Sequence, residues 1–165
     1  AIKIVIEQIH SFQLHNKISV RLITNGSYLD LPATKKAWAQ LEDLNREIWF
    51  KIDAIDPLEA KRINQINISS NSVISNLESS IIISPTIIQT CLLKINKELP
   101  TINSINHYIN FLKPFESKLK AVHLYSLARP TEQNNSNYIE RLSHDELESI
   151  ADNIKQLKVP VFSFI

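Results

Sequence analysis

Cysteine and glycine are nearly missing from this sequence of 165 residues. It contains one cysteine, Cys91, and one glycine, Gly26. A lone cysteine excludes a disulfide framework, a cysteine-rich zinc site and, within this chain, an iron–sulfur cluster held by three or four thiolates. The single glycine follows Asn25, and this pair after an apolar run predicts a turn at which the backbone needs positive φ.

Long apolar runs and an excess of one charge are also missing. The longest runs, such as 81–83, are far shorter than the roughly 18 residues of a membrane span, and no basic and then apolar leader follows Ala1. Eighteen Lys and Arg residues against 17 Asp and Glu residues give a net charge of +1, which argues against a strongly basic nucleic-acid binder. With 44% apolar and 21% charged residues, a disordered tail and a collagen-like repeat are excluded. We therefore expect a soluble, cytoplasmic protein with no membrane partner, and the start at Ala1 suggests a processed product or a fragment.

Helical and strand-like patterns alternate from end to end, with no flexible linker between them. Helical spacing predicts helices over 2–14, from Asp30 and Pro32 to about 44, over 56–66, 73–84, 102–112 and 143–157, and β-rich runs predict strands at 18–24, 48–53, 86–94, 121–127 and 159–164. The Ser143 to Glu146 segment is a capping box, and Asp56 precedes a first-turn proline. The sequence therefore predicts an α/β fold in one domain over 1–165, with a parallel sheet that is either open or curved.

Ligands of parallel α/β folds lie at the carboxyl ends of the strands. On the second predicted strand, period-2 alternation places Lys51 and Asp53 on the same face. This pair could be a buried ion pair, a ligand site, or the exposed face of an edge strand. Gln89 and His123 are polar insertions of the same kind in the third and fourth strands, and each alone is more typical of a satisfied core or edge residue.

Searches for established motifs find none. The chain has no G-x-G-x-x-G, no phosphate-binding loop and no G-x-S-x-G elbow. His10 and His15 are five residues apart, which is the wrong helical spacing for a shared metal, so no metal site is predicted.

Five segments lie in order along nearly the whole chain: Leu22-Ile23-Thr24-Asn25-Gly26-Ser27-Tyr28-Leu29, Trp49-Phe50-Lys51-Ile52-Asp53-Ala54, Ile88-Gln89-Thr90, Val122-His123-Leu124-Tyr125-Ser126-Leu127-Ala128-Arg129-Pro130, and Leu142-Ser143 with Glu146-Leu147 and Ile150-Ala151. Together they resemble radical S-adenosylmethionine (SAM) proteins, in particular the Fe–S oxidoreductases related to wyosine-type tRNA synthetases. The resemblance implies a six-stranded partial (β/α) barrel that binds SAM at its strand ends. In that family a [4Fe–4S] cluster reduces SAM to methionine and a 5′-deoxyadenosyl radical.

The sequence departs from this family at its start. The C-x-x-x-C-x-x-C cluster loop and the Gly-Glu-Pro segment after the family's second strand are absent. Lys51-Ile52-Asp53-Ala54 stands where many relatives have Ser-Leu-Asp-Ala. The chain therefore looks like the last two thirds of the barrel, lacking its first two strands, with the cluster expected only in a complete protein.

The resemblance also implies the site and its cofactor. Asn25, Lys51, Asp53, Gln89 and Arg129 are expected to line one concave surface and to face the SAM ribose, adenine or substrate. Affinity for SAM should be weak or absent in this chain, because the family's contacts to the amino-acid end come from the missing segments. No catalytic residue is assigned, and the substrate is unknown; tRNA would follow only from the wyosine analogy.

Three hypotheses follow. The first is a radical SAM-type fragment that is not catalytic alone, the second is a non-catalytic α/β binding or interaction module (a pseudoenzyme), and the third is an unrelated nucleotide-binding α/β domain. If two strands are missing, the strand from Ile18 to Thr24 becomes a sheet edge with unpaired backbone groups. We expect self-association through that edge, or its coverage by a chain that supplies the missing strands; the opening helix or the closing strand could cover it instead.

Overall fold

The structure, a computed structural model, describes residues 2–14, 17–56, 60, 61, 63, 69–128 and 138–165. Its helices are α1 (Ile2–Ser11), α2 (Pro32–Ala39), α3 (Ser70–Ile83), α4 (Ile102–Leu112) and α5 (His144–Ile154). Its strands are β1 (Ser19–Thr24), β2 (Asn45–Lys51), β3 (Thr86–Cys91), β4 (Leu93–Ile95), β5 (Ala121–Tyr125), β6 (Ile139–Arg141) and β7 (Val161–Phe164). In the part of the chain that the structure describes, no helix is long and apolar enough to cross a membrane.

Five strands form one parallel sheet in the order β1-β2-β3-β5-β7. Strands that are consecutive in this sheet are neighbours, so every crossover moves in the same direction. Since such crossovers share one hand, their helices lie on one face of the sheet, as in (β/α) barrels. The predicted α/β fold with a parallel sheet is confirmed, and the described sheet is open, with β1 and β7 at its edges.

The third predicted strand, 86–94, is wrong in its length. The chain leaves the main sheet after Cys91, and β4 pairs instead with β6 in a separate antiparallel sheet. The amide of Leu92 still donates to the carbonyl of Tyr125 on β5 at 2.8 Å, so the chain turns away just after this hydrogen bond. The sequence pattern continues through the break because both segments are rich in apolar residues.

Several predicted boundaries also shift. Helix α1 ends at Ser11 and not at position 14 as predicted. Shortly after the helix, Gln13 has a positive φ of 54°. Strand β2 ends at Lys51, so Asp53 follows the strand, and β5 and β7 are each two residues shorter than predicted. Of the helix predicted over 56–66, residues 60, 61 and 63 are helical and the remainder lies almost wholly outside the described residues.

Local signals set the starts of the helices. The Ser143 hydroxyl accepts from the Glu146 amide, and the Glu146 carboxylate accepts from the Ser143 amide, which confirms the capping box. Helix α2 begins at Pro32, as predicted, but its N-cap is Leu31. Asp30 serves a different contact: its carboxylate accepts from the Ser79 hydroxyl and pairs with Lys35.

The two faces of the sheet differ sharply. One alternating set of strand side chains, including the fully buried Ile48, Phe50, Ile88, Val122 and Leu124, packs under the helices and forms the core. The other set faces away from the helices, and we call it the open face. It consists of Ser19, Arg21, Ile23, Asn45, Glu47, Trp49, Lys51, Ile87, Gln89, Cys91, Ala121, His123, Tyr125, Phe162 and Phe164.

Candidate functional site

The ladder register aligns the polar residues of the open face. Lys51 on β2 lies level with Gln89 on β3, and Gln89 lies level with His123 on β5. All three are partly exposed. The sequence singled out these residues separately, and the structure brings them into one row near the carboxyl ends of three adjacent strands.

Asp53 lies beside one end of this row, just after β2. Its side chain is 6% exposed and forms an ion pair with Lys51. Its Oδ1 accepts a hydrogen bond from the backbone N–H of Cys91 at 3.1 Å, so the carboxylate joins the end of β2 to the end of β3. Because β2 is an internal strand, the edge-strand interpretation of Lys51 and Asp53 is wrong.

The charge of Lys51 is stabilised in place. Burial would lower the pKa of its ammonium, but the hydrogen bond and charge of Asp53 outweigh burial and raise the pKa. Its Nζ also lies 5.9 Å from the centre of the Tyr125 ring. Lys51 is therefore a cation held in place beside a buried carboxylate. Such a pair can donate to a polar ligand through the ammonium and accept from it through the carboxylate.

Two of the predicted site residues, Asn25 and Arg129, are not part of this row. Asn25 follows β1 directly, is exposed, and its Oδ1 accepts from the Ser27 amide at 3.2 Å, so part of its hydrogen-bonding capacity is used in its own turn. Thr24 lies level with Phe50, which places Asn25 at the same height as Lys51. Arg129 lies outside the described residues.

The turn after β1 depends on Gly26. Its φ is +82°, and a Cβ at this position would lie 2.5 Å from Phe50 Cε2 and 2.7 Å from Asn76 Cβ. The Gly26 amide donates to Thr24 Oγ1 at 3.0 Å. The sequence prediction of a positive-φ turn is confirmed, and the close approach to Phe50 explains further why the backbone is bare here.

The amino-terminal half of the open face carries a second charge cluster. The buried carboxylate of Glu47 pairs with Lys120, and it accepts from Arg21 Nε at 3.5 Å and from Trp49 Nε1 at 3.3 Å. The hydrogen bond from Lys120 is the main reason why the pKa of Glu47 is lowered. All three donors bind the same Glu47 carboxylate, so we interpret this cluster as structural.

Aromatic rings fill the space between the two charged regions. The His123 ring makes edge contacts with Trp49, Phe162 and Phe164, with centroid separations of 5.2, 5.7 and 5.0 Å. Burial lowers the pKa of His123, which favours a neutral imidazole. Period-2 alternation in the sequence could predict that each ring lies on this face. The contacts between the rings depend on the register of four strands, which the sequence pattern does not give.

A pocket of about 130 Å³ opens next to Asp53, at the ends of β2 and β3 and against α4. Its wall includes Cys91, Thr90 and Tyr108, and the two hydroxyls lie 2.7 Å apart in a buried hydrogen bond. Burial raises the pKa of the Cys91 thiol to about 11. Sequence reasoning did not identify this pocket, because α4 reaches the strand ends only through the tertiary fold.

No match was found among known family models or among curated proteins. Among solved structures, the fold is similar to a radical SAM methyltransferase from Sphaerobacter thermophilus, with a TM-score of 0.59 and 12% sequence identity. The similarity covers 87% of this chain but 39% of that chain, so this chain corresponds to less than half of the methyltransferase's length. The chain therefore shares an α/β fold with this structure over most of its own length.

Proposed function

We propose that this chain is the carboxyl-terminal part of a radical SAM-type catalytic domain, and that its open face binds the nucleoside of SAM at the strand ends. One observation carries the proposal: the Lys51–Asp53 ion pair and Gln89, which is level with Lys51 in the ladder, lie at the carboxyl ends of β2 and β3. Ligands of parallel α/β sheets bind at that end of the strands. The similarity to the methyltransferase supports the fold on which the proposal depends.

The residues fit a nucleoside. A carboxylate has about four acceptor positions, and the contacts of Asp53 with Lys51 and the Cys91 amide use two of them. The remaining positions can accept ribose hydroxyls. The Gln89 amide supplies both a donor and an acceptor, and the Asn25 amide, in the turn after β1, can donate its N–H groups. These side chains bind and orient the ligand, and we assign none of them a proton-transfer role.

The residues do not fit a [4Fe–4S] cluster. The whole sequence has a single cysteine, whereas such a cluster needs three or four thiolates. Burial raises the pKa of that thiol to about 11, which disfavours the thiolate that would bind iron. This chain alone therefore supports no reaction at a cluster. A catalytic protein would have to supply the cysteine ligands of the cluster from other residues.

The same donor set favours a second candidate, a non-catalytic α/β binding module. The genomic sequence immediately upstream of the codon for Ala1 separates the two. An in-frame C-x-x-x-C-x-x-C motif there supports the catalytic proposal, and its absence supports the module.

We extend the proposal to the wyosine-related group on the family-like segments alone. We extend it to a cytoplasmic location and to one domain over 1–165 on the composition of the chain and its unbroken alternation of helical and strand-like patterns. A tRNA substrate would follow only from that analogy, and a net charge of +1 gives it no electrostatic support.

Ligand binding tests the site directly. We would titrate the chain with 5′-deoxyadenosine and with SAM, and follow the amide resonances of Lys51, Asp53 and Gln89 by NMR. We expect weak binding, about millimolar, with shifts concentrated at these residues. Asp53→Asn should weaken it at least about tenfold, since a hydrogen bond to a charged group contributes roughly 1.5–3 kcal/mol.

The matched control is Asp152→Asn, which removes an exposed carboxylate that pairs with Lys155 at the protein surface. It should leave binding unchanged. Thermal melting of both variants separates loss of a ligand contact from loss of the fold. Saturable binding that Asp53→Asn leaves intact, or shifts confined to another surface, would show that the strand ends are not the site.

A further inference from the structure

The pocket beside Asp53 is separate from the open face. Its wall includes Tyr108 of α4 and Thr90, which lies level with Leu124 in the set of strand side chains that faces the core. The pocket therefore lies on the helix side of the strand ends, whereas Lys51 belongs to the opposite face. Asp53 lines the pocket and also pairs with Lys51, so the two regions adjoin at this carboxylate.

Two buried hydroxyl groups in the pocket wall have one proton more than their contact uses. Thr90 is 2% and Tyr108 is 9% exposed, and their hydroxyl oxygens lie 2.7 Å apart. Each hydroxyl carries one proton, and in their single hydrogen bond one group donates while the other accepts. Within the described residues neither hydroxyl has a second hydrogen-bond partner. One buried O–H group therefore lacks an acceptor, a state that native structures avoid.

A second buried hydroxyl pair, between α3 and β3, has no such surplus. The Ser80 and Thr86 hydroxyl oxygens lie 2.8 Å apart, and the Thr86 hydroxyl also donates to the carbonyl of Ser84 at 3.0 Å. Because Ser80 can then donate to Thr86, both protons of this pair are used. This pair does not line the pocket. The unused donor thus belongs to the pair that faces the pocket, where an acceptor on a ligand would satisfy it.

The remaining wall limits the charge and the size of a ligand. Much of it is apolar, and the apolar side chains include Ile55, Leu93, Ile95, Leu99 and Ile105. The carboxylates of Asp53, Asp56 and Glu98 also line it, and within the described residues the wall contains no lysine or arginine, which disfavours an anion. The volume of about 130 Å³ is close to that of a cavity of about 150 Å³ that binds benzene, so a group of the size of one ring fits.

We propose that this pocket binds a small uncharged molecule that has an apolar ring and one carbonyl-type oxygen. The oxygen accepts the unused O–H of the Thr90–Tyr108 pair, and the ring contacts the isoleucine and leucine side chains of the wall. An ammonium group has no lone pair that could accept this proton, and a carboxylate or phosphate would face the three carboxylates. Burial raises the pKa of the Tyr108 hydroxyl, so the pair keeps both of its protons at neutral pH.

Three probes with the same number of non-hydrogen atoms test the class of ligand. Acetophenone has a ring and a carbonyl, α-methylstyrene has C=CH₂ in place of that C=O, and benzoate carries a negative charge. We would titrate each into the chain and follow the amide resonances of Thr90, Ser104 and Tyr108 by NMR. Acetophenone should bind with a dissociation constant of about 0.1–10 mM, as expected for a ligand of this size. At equal concentrations, the initial slopes of the shifts should show binding at least about threefold weaker for α-methylstyrene and at least about tenfold weaker for benzoate.

The double variant Thr90→Val with Tyr108→Phe removes both hydroxyl groups and keeps the shapes of the two side chains. Replacing both partners of a buried hydrogen bond in this way is nearly neutral for stability, so we expect this variant to fold. It should bind acetophenone and α-methylstyrene equally. Each single variant leaves one hydroxyl proton for the ligand and should still prefer acetophenone. The matched control is Ser80→Ala with Thr86→Val, which removes the other buried hydroxyl pair and should keep the preference of the wild type.

Circular dichroism checks that the variants are folded, and the three probes on the wild-type chain decide the question without any variant. If no probe binds, the pocket holds an ordered water only and the proposal is wrong. Equal binding of acetophenone and α-methylstyrene by the wild type, a preference that persists in the Thr90 and Tyr108 double variant, or tighter binding of benzoate would also overturn it. So would shifts confined to Lys51 and Gln89. Because the nucleoside titration is followed at those two residues, the pocket and the proposed SAM site can each fail alone.

Discussion

Gly26→Ala should be the most informative single substitution for the fold. Two costs add at this position. An alanine at φ +82° is in the left-handed region, which costs roughly 1–2 kcal/mol for a residue with a Cβ. The new Cβ would also lie 2.5 Å from Phe50 Cε2 and 2.7 Å from Asn76 Cβ. Phe50 is fully buried, and inserting a methyl group into a packed core typically costs about 1–3 kcal/mol.

The expected loss of unfolding free energy is therefore about 2–5 kcal/mol, a large part of the roughly 5–15 kcal/mol of a typical domain. Urea unfolding followed by circular dichroism measures it, with Ser27→Ala as a control in the same turn. A double-mutant cycle with Phe50→Leu isolates the contact with Phe50, because a smaller side chain relieves that clash but neither the contact with Asn76 nor the strain in φ. A Gly26→Ala variant within about 0.5 kcal/mol of the wild type would refute both the turn geometry and the contact with Phe50.

Three further outcomes are expected. Anaerobic reconstitution with iron and sulfide should leave the chain without a bound cluster, and stoichiometric iron with the visible absorbance of a [4Fe–4S] centre would contradict this. Glu47→Gln should lower the unfolding free energy at pH 7 by about 1–3 kcal/mol. Because the folded pKa of Glu47 lies below the ordinary value of 4.5, its stabilisation is present above that pH and is lost as the pH falls through the folded pKa. The difference from wild type in urea unfolding should therefore shrink toward low pH, and a constant difference would argue against the ion cluster. The Cys91 thiol, with its pKa raised to about 11, should react with a disulfide reagent at pH 8 much more slowly in the folded protein than in urea, and equal rates would show that it is exposed.

Local patterns predicted the fold class and several element starts. The capping box at Ser143 and the proline at position 32 act within one turn of helix, so sequence alone locates them. The break after Cys91 was missed because β4 pairs with β6, more than forty residues further along the chain. No local pattern distinguishes one long strand from two short ones that join different sheets.

The candidate site was predictable only in part, for the same reason. Period-2 alternation placed Lys51 and Asp53 on one face, and the structure shows that they form an ion pair. The hydrogen bond from the Cys91 amide to Asp53 spans 38 residues. The row from Lys51 through Gln89 to His123 depends on the register of three strands. Neither can be derived from spacing.

The hydrogen bond that fixes the Asp53 carboxylate determines which neighbouring residues can be substituted without moving it. Its anchor on β3 is the backbone N–H of Cys91, and the thiol takes no part in that hydrogen bond. Any residue other than proline supplies the same N–H, so substitution of the cysteine side chain leaves the carboxylate in position. Position 91 can therefore vary between related sequences while the strand-end geometry stays constant, whereas a proline there would release Asp53 from β3.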